Sequence, residues 1–501
     1  RAVSTASNSK NDTVVAYAGF IDSLISTHMG SGGDAEVRLL QAWKLTGDSE
    51  TRMEIENALA KYYSNRHEPR KAESWYRRSI DTFERNRSSV RDEALKLSSF
   101  AYGDSVYRDY ADFLVDCHRP NVALQLLDRS RARTLSEGLG LSTVDSDTDN
   151  HHALSPQAVA RKLGALILFY SLGPEKSYLW AIGARGVHLF TLPKDRDIRA
   201  LVYRYQRAVQ QSTDPLRSAN PDGAALYHAL IEPAAAMIPA GSQVFIVPDG
   251  VLHGLNFETL LEPAPAGFKY WIEDVTVTST NSIRMLSQPH SSPKEAARSL
   301  LLIGNPFSVG PEFAPLAHAP AEIERIRQHF PSDAQTVLTQ AQAIPAAYVT
   351  SDPGQYKYIH FVAHGIASRL SPLDSAVVLA PGPAGTGDFK LYAREILHYP
   401  LHARLVTISA CYGSGLRTYA GEGLVGLAWA FLRAGSHNVI GALWQVDDAS
   451  TPLVMDRFYA EIEAGRSPDE ALREAKLALI HSTNVYRKPF YWGVFQLYGG
   501  A

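Results

Sequence analysis

The sequence predicts an N-terminal α-helical layer followed by an α/β layered sandwich, with a mostly parallel sheet and helices on both faces. Three observations predict it. Residues 14 to about 140 carry apolar side chains at three- and four-residue spacing, with no strand-like alternation. From about Gln157 the pattern changes to short apolar runs separated by Gly-containing turns. Farther on, such runs alternate with helical patterns, which is how parallel sheets are built. The length of 501 residues gives room for two to four domains at roughly 100 to 200 residues each. Three divisions are expected: helical residues 1–145, a first α/β half at 150–290 and a second at 295–501. The Ser- and Pro-rich stretch Ser287 to Lys294 is the expected boundary between the halves.

Composition narrows the function classes. Hydrophobic residues at 45% and charged residues at 20% are ordinary globular values, which excludes wholesale disorder. Lys plus Arg is 49 against Asp plus Glu at 52, a net charge of -3. The basic excess that non-specific nucleic-acid binding draws on is missing, so no direct nucleic-acid partner is expected. No apolar run approaches the roughly 18 residues of a bilayer span, so no membrane partner is expected either. The chain begins Arg1-Ala2-Val3, without the basic start and apolar centre of a secretory signal, and Arg1 is no initiator Met, as in a trimmed chain. The two cysteines, Cys117 and Cys411, are too few for a disulfide framework or a cysteine zinc site, and a reducing cytoplasm is the expected location.

Within the helical layer, after segments at Val14 to Ile25 and Ala35 to Leu45, one frame occurs twice. Ala72, Tyr76 and Ser79 share the spacing of Ala123, Leu127 and Ser130. Twelve residues upstream of each alanine stands another, Ala60 beside Leu59 and Tyr63, and Ala111 beside Tyr110 and Leu114. Small residues at those places let two helices approach closely, as in a tetratricopeptide (TPR) hairpin. The frames lie 51 residues apart against a nominal 34 or so, so the repeats are irregular.

Strands are expected at Ala165 to Tyr170, Tyr178 to Ile182, Val187 to Phe190, Val244 to Val247 and Ser299 to Ile303, with helices at Ile198 to Gln211 and Ala321 to Phe330. Three later strands each finish in a reactive or charged group: Tyr358 to Ala363 before His364-Gly365, Leu405 to Ala410 before Cys411, and Val439 to Trp444 before Gln445-Val446-Asp447-Asp448. Ligands of parallel α/β sheets sit at the carboxyl ends of strands, so these ends converge on one crevice. A thiolate at Cys411 attacks a carbonyl there, and His364 supplies and removes protons. Gly365 lacks a Cβ, so its N–H can approach a developing oxyanion, with the Cys411 N–H as second donor. Read plainly, His364 is a strand-end histidine and Cys411 a small buried apolar residue.

These residues, with Gly421-Glu422-Gly423, Ala434-Gly435, Phe458-Tyr459 and Tyr491-Trp492-Gly493, resemble a CHAT domain, the caspase- and separase-like cysteine peptidase domain commonly joined to TPR repeats. The resemblance runs from about Ala165 to Ala501. It implies a caspase-like fold with a non-catalytic half before the catalytic one, and His364 and Cys411 as the dyad. It also implies no cofactor or metal, and cleavage of a protein substrate. Regulation through the TPR-like helices by a protein partner is expected, and in family terms partners include bacterial defence components or pore-forming proteins released by cleavage. Tyr412 after the nucleophile and Gln445 in place of a usual Pro depart from the family pattern. A catalytically silent scaffold of the same fold is the alternative.

Separase-like relatives cleave after basic residues, which makes Asp447 and Asp448 candidates for a substrate pocket, with Glu422 and Asp374 behind them. Against this, Asp448-Ala449-Ser450-Thr451-Pro452 has the form of a helix start. Gly421-Glu422-Gly423-Leu424-Val425-Gly426 matches a dinucleotide fingerprint, with Asp447 at the offset of the ribose-binding acid. However, that stretch begins ten positions after Cys411, and a buried stripe on a helix Leu424 to Arg433 also accounts for it. His360 with His364, and His398 with His402, lack the helical face of a zinc site. His253 has no nucleophile beside it. Arg129, Arg131 and Arg133 read as a solvated face or an interdomain clamp.

Overall fold

The computed structural model describes residues 11–28, 34–91, 93–139, 155–287, 298–308, 310–382, 388–415, 417–419 and 422–499. The expected boundary at Ser287 to Lys294 lies almost wholly outside them. The chain forms two compact units, Arg1–Ser130 and Arg131–Ala501. Among its described residues the first is built of helices: α1 (Asp12–His28), α2 (Ala35–Leu45), α3 (Ser49–Asn65), α4 (Pro69–Ser89), α5 (Glu93–Asp116) and α6 (Pro120–Ser130). Ala60, Ala72, Ala111 and Ala123 are all buried, so α3 with α4 and α5 with α6 close into hairpins over them. Ser79 donates to the Met53 carbonyl at 2.8 Å across the first hairpin. Tyr76 stacks on Tyr110 with ring centroids 5.2 Å apart, which joins the hairpins. The extra residues between the two frames sit in long helices rather than a loop, α4 having 21 residues and α5 24.

The second unit is built on one 11-stranded sheet. Its strands are β1 (Leu166–Ser171), β2 (Ser177–Gly183), β3 (Gly186–Leu192), β4 (Ser242–Val247), β5 (Val275–Ser279), β6 (Arg298–Pro306), β7 (Gln335–Gln340), β8 (Tyr356–Val362), β9 (Leu405–Ser409), β10 (Asn438–Ala442) and β11 (Phe495–Gly499). They lie in the order β3-β2-β1-β4-β5-β11-β10-β9-β8-β6-β7. Pairings are parallel except β1 with β2, β2 with β3 and β10 with β11. The C-terminal strand β11 lies between β5 and β10, so the two expected halves share one sheet.

Strands buried on both faces explain the unbroken apolar runs. On one face Leu168, Ile246, Leu302 and Leu405 join a core with α9 (Asp195–Gln210), α10 (Pro221–Leu230), α11 (Ala319–Arg327), α13 (Thr451–Glu463) and α14 (Pro468–Ile480). The alternate residues Phe169, Val247, Phe361 and Ile408 are equally buried on the other face, where Phe361 meets Phe431 of α12 (Leu427–Arg433) at 5.5 Å. The helix expected from Leu424 starts later, because Gly423–Val425 instead pairs antiparallel with Arg417–Tyr419. Short α7 (Arg133–Gly138) and α8 (Pro156–Leu163) belong to this unit, which therefore begins earlier than the expected domain boundary. Among the described residues no helix is long and apolar enough to cross a membrane.

Candidate active site

Register places the two reactive side chains. β8 and β9 run parallel with Val362 opposite Ser409, and two residues beyond that pair stand His364 and Cys411 on neighbouring strand ends. A Cβ on Gly365 would lie 2.4 Å from the Cys411 carbonyl oxygen and 3.2 Å from the Ala410 Cβ. Only glycine therefore allows these strand ends to close. Tyr412 takes a left-handed φ of 54° directly after the cysteine, a conformation costing a bulky residue of order 1 kcal/mol or more. The turn is held by β10: Ser414 N–H donates to Ala442 O at 3.1 Å.

The imidazole of His364 is oriented by a group that sequence gave no sign of, since every residue has a backbone carbonyl. Its Nε2 lies 2.7 Å from the Ala314 carbonyl oxygen. A carbonyl only accepts, so Nε2 holds the proton and Nδ1 of the neutral ring is left to exchange one. Phe313 flanks the ring at 5.8 Å. Partial burial pushes the Cys411 thiol above its ordinary value, while the nearby backbone N–H groups of Val446 and Cys411 pull it down. At neutral pH the thiol is protonated. Only the thiolate reacts, so alkylation of Cys411 by iodoacetamide should rise about tenfold per pH unit from pH 6 to 8. Peptide mapping by mass spectrometry separates it from Cys117, and a rate that is flat below pH 7 would contradict this ionisation.

The four carboxylates each have an internal partner. Asp447 Oδ1 accepts the Ser450 N–H at 2.9 Å, ahead of α13. Asp448 Oδ2 accepts the His318 N–H at 2.8 Å. Asp374 pairs with Arg394. Glu422 is buried and accepts the backbone N–H groups of Thr134 and, at 3.3 Å, Leu135 at the start of α7.

Gly421 of the dinucleotide fingerprint lies outside the described residues, and its other two glycines are accounted for by packing. A Cβ on Gly426 would lie 2.7 Å from the Gly415 Cα, and one on Gly423 would lie 2.8 Å from His253 Cε1. Burial and then the Arg131 charge lower the pKa of that histidine to about 3, so it stays neutral. Arg131 itself is no solvated residue: its side chain is 4% exposed and pairs with Asp249 at 2.8 Å. His360 is likewise satisfied inside the fold, between Tyr459 Oη at 2.9 Å and Glu322 at 3.2 Å. Among the described residues no group of three or more His, Cys, Asp or Glu is placed to hold a metal ion.

Residues 220–500 match the CHAT domain family. The chain belongs to that family. Tetratricopeptide repeat protein 28 of Mus musculus is 32% identical over 112 residues, and that of Homo sapiens 30% over the same length. Each alignment takes in 22% of this CHAT chain and 4% of the relative. Among solved structures, the Saccharomyces cerevisiae separase–securin complex aligns with 99% of this chain and 47% of its own, at 10% identity and a TM-score of 0.49. The Arg-specific cysteine proteinase gingipain R aligns with 61% of this chain and 67% of its own, at 10% identity and a TM-score of 0.34. In this CHAT chain the strand order and register above position His364 and Cys411.

Proposed function

We propose that this CHAT protein is a cysteine endopeptidase acting on a protein substrate through His364 and Cys411. The observation that supports it most is the oriented imidazole: a histidine locked by the Ala314 carbonyl, one strand over from a cysteine at the same level. A base positioned by a third group beside a nucleophile is the arrangement that activates thiols. In the proposed reaction His364 Nδ1 takes the Cys411 proton as sulfur adds to the peptide carbonyl. The resulting oxyanion is received by the N–H groups of Gly365 and Cys411. The C–N bond then breaks as His364 protonates the leaving amine, leaving a thioester. A water molecule deprotonated by His364 hydrolyses that thioester and restores the thiol.

The reading includes control by the TPR-like unit and a protein partner bound there. Arg131 follows directly on α6, and α7 two residues later holds Glu422, which stands in the stretch after Cys411. A shift of that junction thus has a route to the nucleophile's loop. The free cysteines Cys117 and Cys411 are in keeping with a reducing cytoplasm. Substrates of the kind implied by the resemblance are defence components or pore-forming proteins freed by cleavage.

The test is a comparison of new protein termini in cells carrying the intact chain or Cys411→Ala. Termini that appear only with the intact chain are expected. An identical set in both leaves the silent scaffold. In the same assay residues 131–501 alone should differ in turnover from the intact chain, and equal turnover with and without candidate partners removes the regulatory part.

A further inference from the structure

The cleft at His364 has a chemistry of its own. It lies between the end of β6 with the loop after it and the strand end carrying the imidazole. Phe307, Pro315, Leu316 and Val378 form its apolar walls, and Asn305 and Ser308 contribute uncharged polar groups. Among its described lining residues His364 is the sole ionisable one. Glu312, the only charged residue between Asn305 and Leu316, is exposed and outside the lining. The Ser308 hydroxyl is turned into its own loop, 2.9 Å from the Phe313 carbonyl. Phe307 remains 54% exposed at the rim, an apolar ring left without cover.

We infer that this cleft receives the side chain of the residue whose carbonyl Cys411 attacks, and that it selects an uncharged apolar side chain, aliphatic or aromatic, over a basic or acidic one. The inference rests on the peptidase reading and deepens it. The side chain next to the reacting carbonyl must sit within a few ångströms of both sulfur and imidazole. The cleft shares His364 with the reacting centre, and the carbonyl that orients the imidazole, Ala314 O, belongs to its wall. A basic side chain entering here would lose its hydration and meet no carboxylate, a loss unmatched by any new bond. The acids suspected of receiving one, Asp374, Glu422, Asp447 and Asp448, are each engaged by this chain's own groups. An apolar side chain instead covers Phe307 and Leu316 and loses nothing polar.

The test uses the full chain and four peptidyl acyloxymethyl ketones that differ only in the residue beside the ketone: Leu, Phe, Arg or Asp. The thiolate displaces the carboxylate leaving group and forms a thioether, so intact-mass spectrometry reads modification of Cys411 over time. The Leu and Phe reagents should react at least about tenfold faster than Arg and Asp, the size of discrimination an apolar pocket gives. Leu316→Asp should turn the preference toward Arg. Phe307→Asp, at an exposed position that burdens folding little, should do so in part. Fastest reaction with the Arg reagent overturns the apolar preference and leaves the peptidase reading standing. An unchanged order of rates in both variants overturns the assignment of the cleft. Alkylation of Cys411 by iodoacetamide but by none of the four ketones overturns the peptidase reading, and this inference with it.

Discussion

His364→Ala lowers peptide-bond hydrolysis by about 10²- to 10⁴-fold, the range a positioned acid–base group contributes, and Cys411→Ala stops the covalent route altogether. The loss is large because one imidazole serves three times under the proposed mechanism, taking the thiol proton, protonating the leaving amine and activating water. The fold should hardly notice. His364 is half-buried and its described side-chain hydrogen bond is the one to Ala314 O, so the melting temperature of His364→Ala should stay within a few degrees of the parent. Steady-state rates on the best peptide, measured beside thermal melts, separate the two effects. A variant that keeps more than a tenth of the parent rate while folded would remove His364 from the reaction.

Asp249→Ala should cost about 3–5 kcal/mol of stability, far more than a surface change, because it breaks a buried ion pair by removing one partner. The Arg131 guanidinium is 4% exposed and lies 2.8 Å from Asp249 Oδ1. It also points at the Pro248 carbonyl at 3.4 Å and the Tyr170 carbonyl at 3.3 Å, while its plane sits 5.5 Å from the Phe169 ring. Asp249 Oδ2 meanwhile accepts the Leu172 N–H at 2.7 Å. Truncating the acid removes the carboxylate that faces the cation and that N–H in a dry interior. Replacing both residues with apolar ones of similar volume should recover most of the loss, since no lone charge remains. Urea unfolding of the single and double variants checks both statements. A single variant within 1 kcal/mol or so of the parent, well below the penalty for breaking a buried pair, would mean that water reaches the pair.

Much of this architecture was legible in local pattern. Apolar residues at every position of Leu166 to Tyr170 mark a strand covered on both sides, and Leu168 and Phe169 are indeed buried on opposite faces of the sheet. Alanines at matched places in the repeats mark close helix crossings, and Ala72 and Ala123 have no exposed surface. Other features were illegible for a definite reason. Leu424 to Arg433 has a helical stripe throughout, yet its first residues pair as a strand because Gly423 and Gly426 press against His253 and Gly415, neighbours distant or unpredictable in sequence. Glu422 reads as a pocket acid until its buried partners at Thr134 and Leu135, nearly three hundred positions away, are seen. The short basic run with Arg131 reads as a solvated face or a clamp, and burial against Asp249 removes the solvated reading for Arg131.

By itself the sequence determined the succession of a helical layer and an α/β region, most of the strands though not Val275–Ser279, Gln335–Gln340 or Phe495–Gly499, and membership of a layered α/β class, because side-chain periodicity and turn chemistry are local properties. Tertiary structure alone decided which groups touch. The strand register set His364 level with Cys411, a backbone carbonyl of Ala314 fixed the imidazole, and competing internal hydrogen bonds claimed the four acids. Such choices depend on distances between segments far apart in the chain, and on which polar group loses water, neither of which is written in any local stretch of residues.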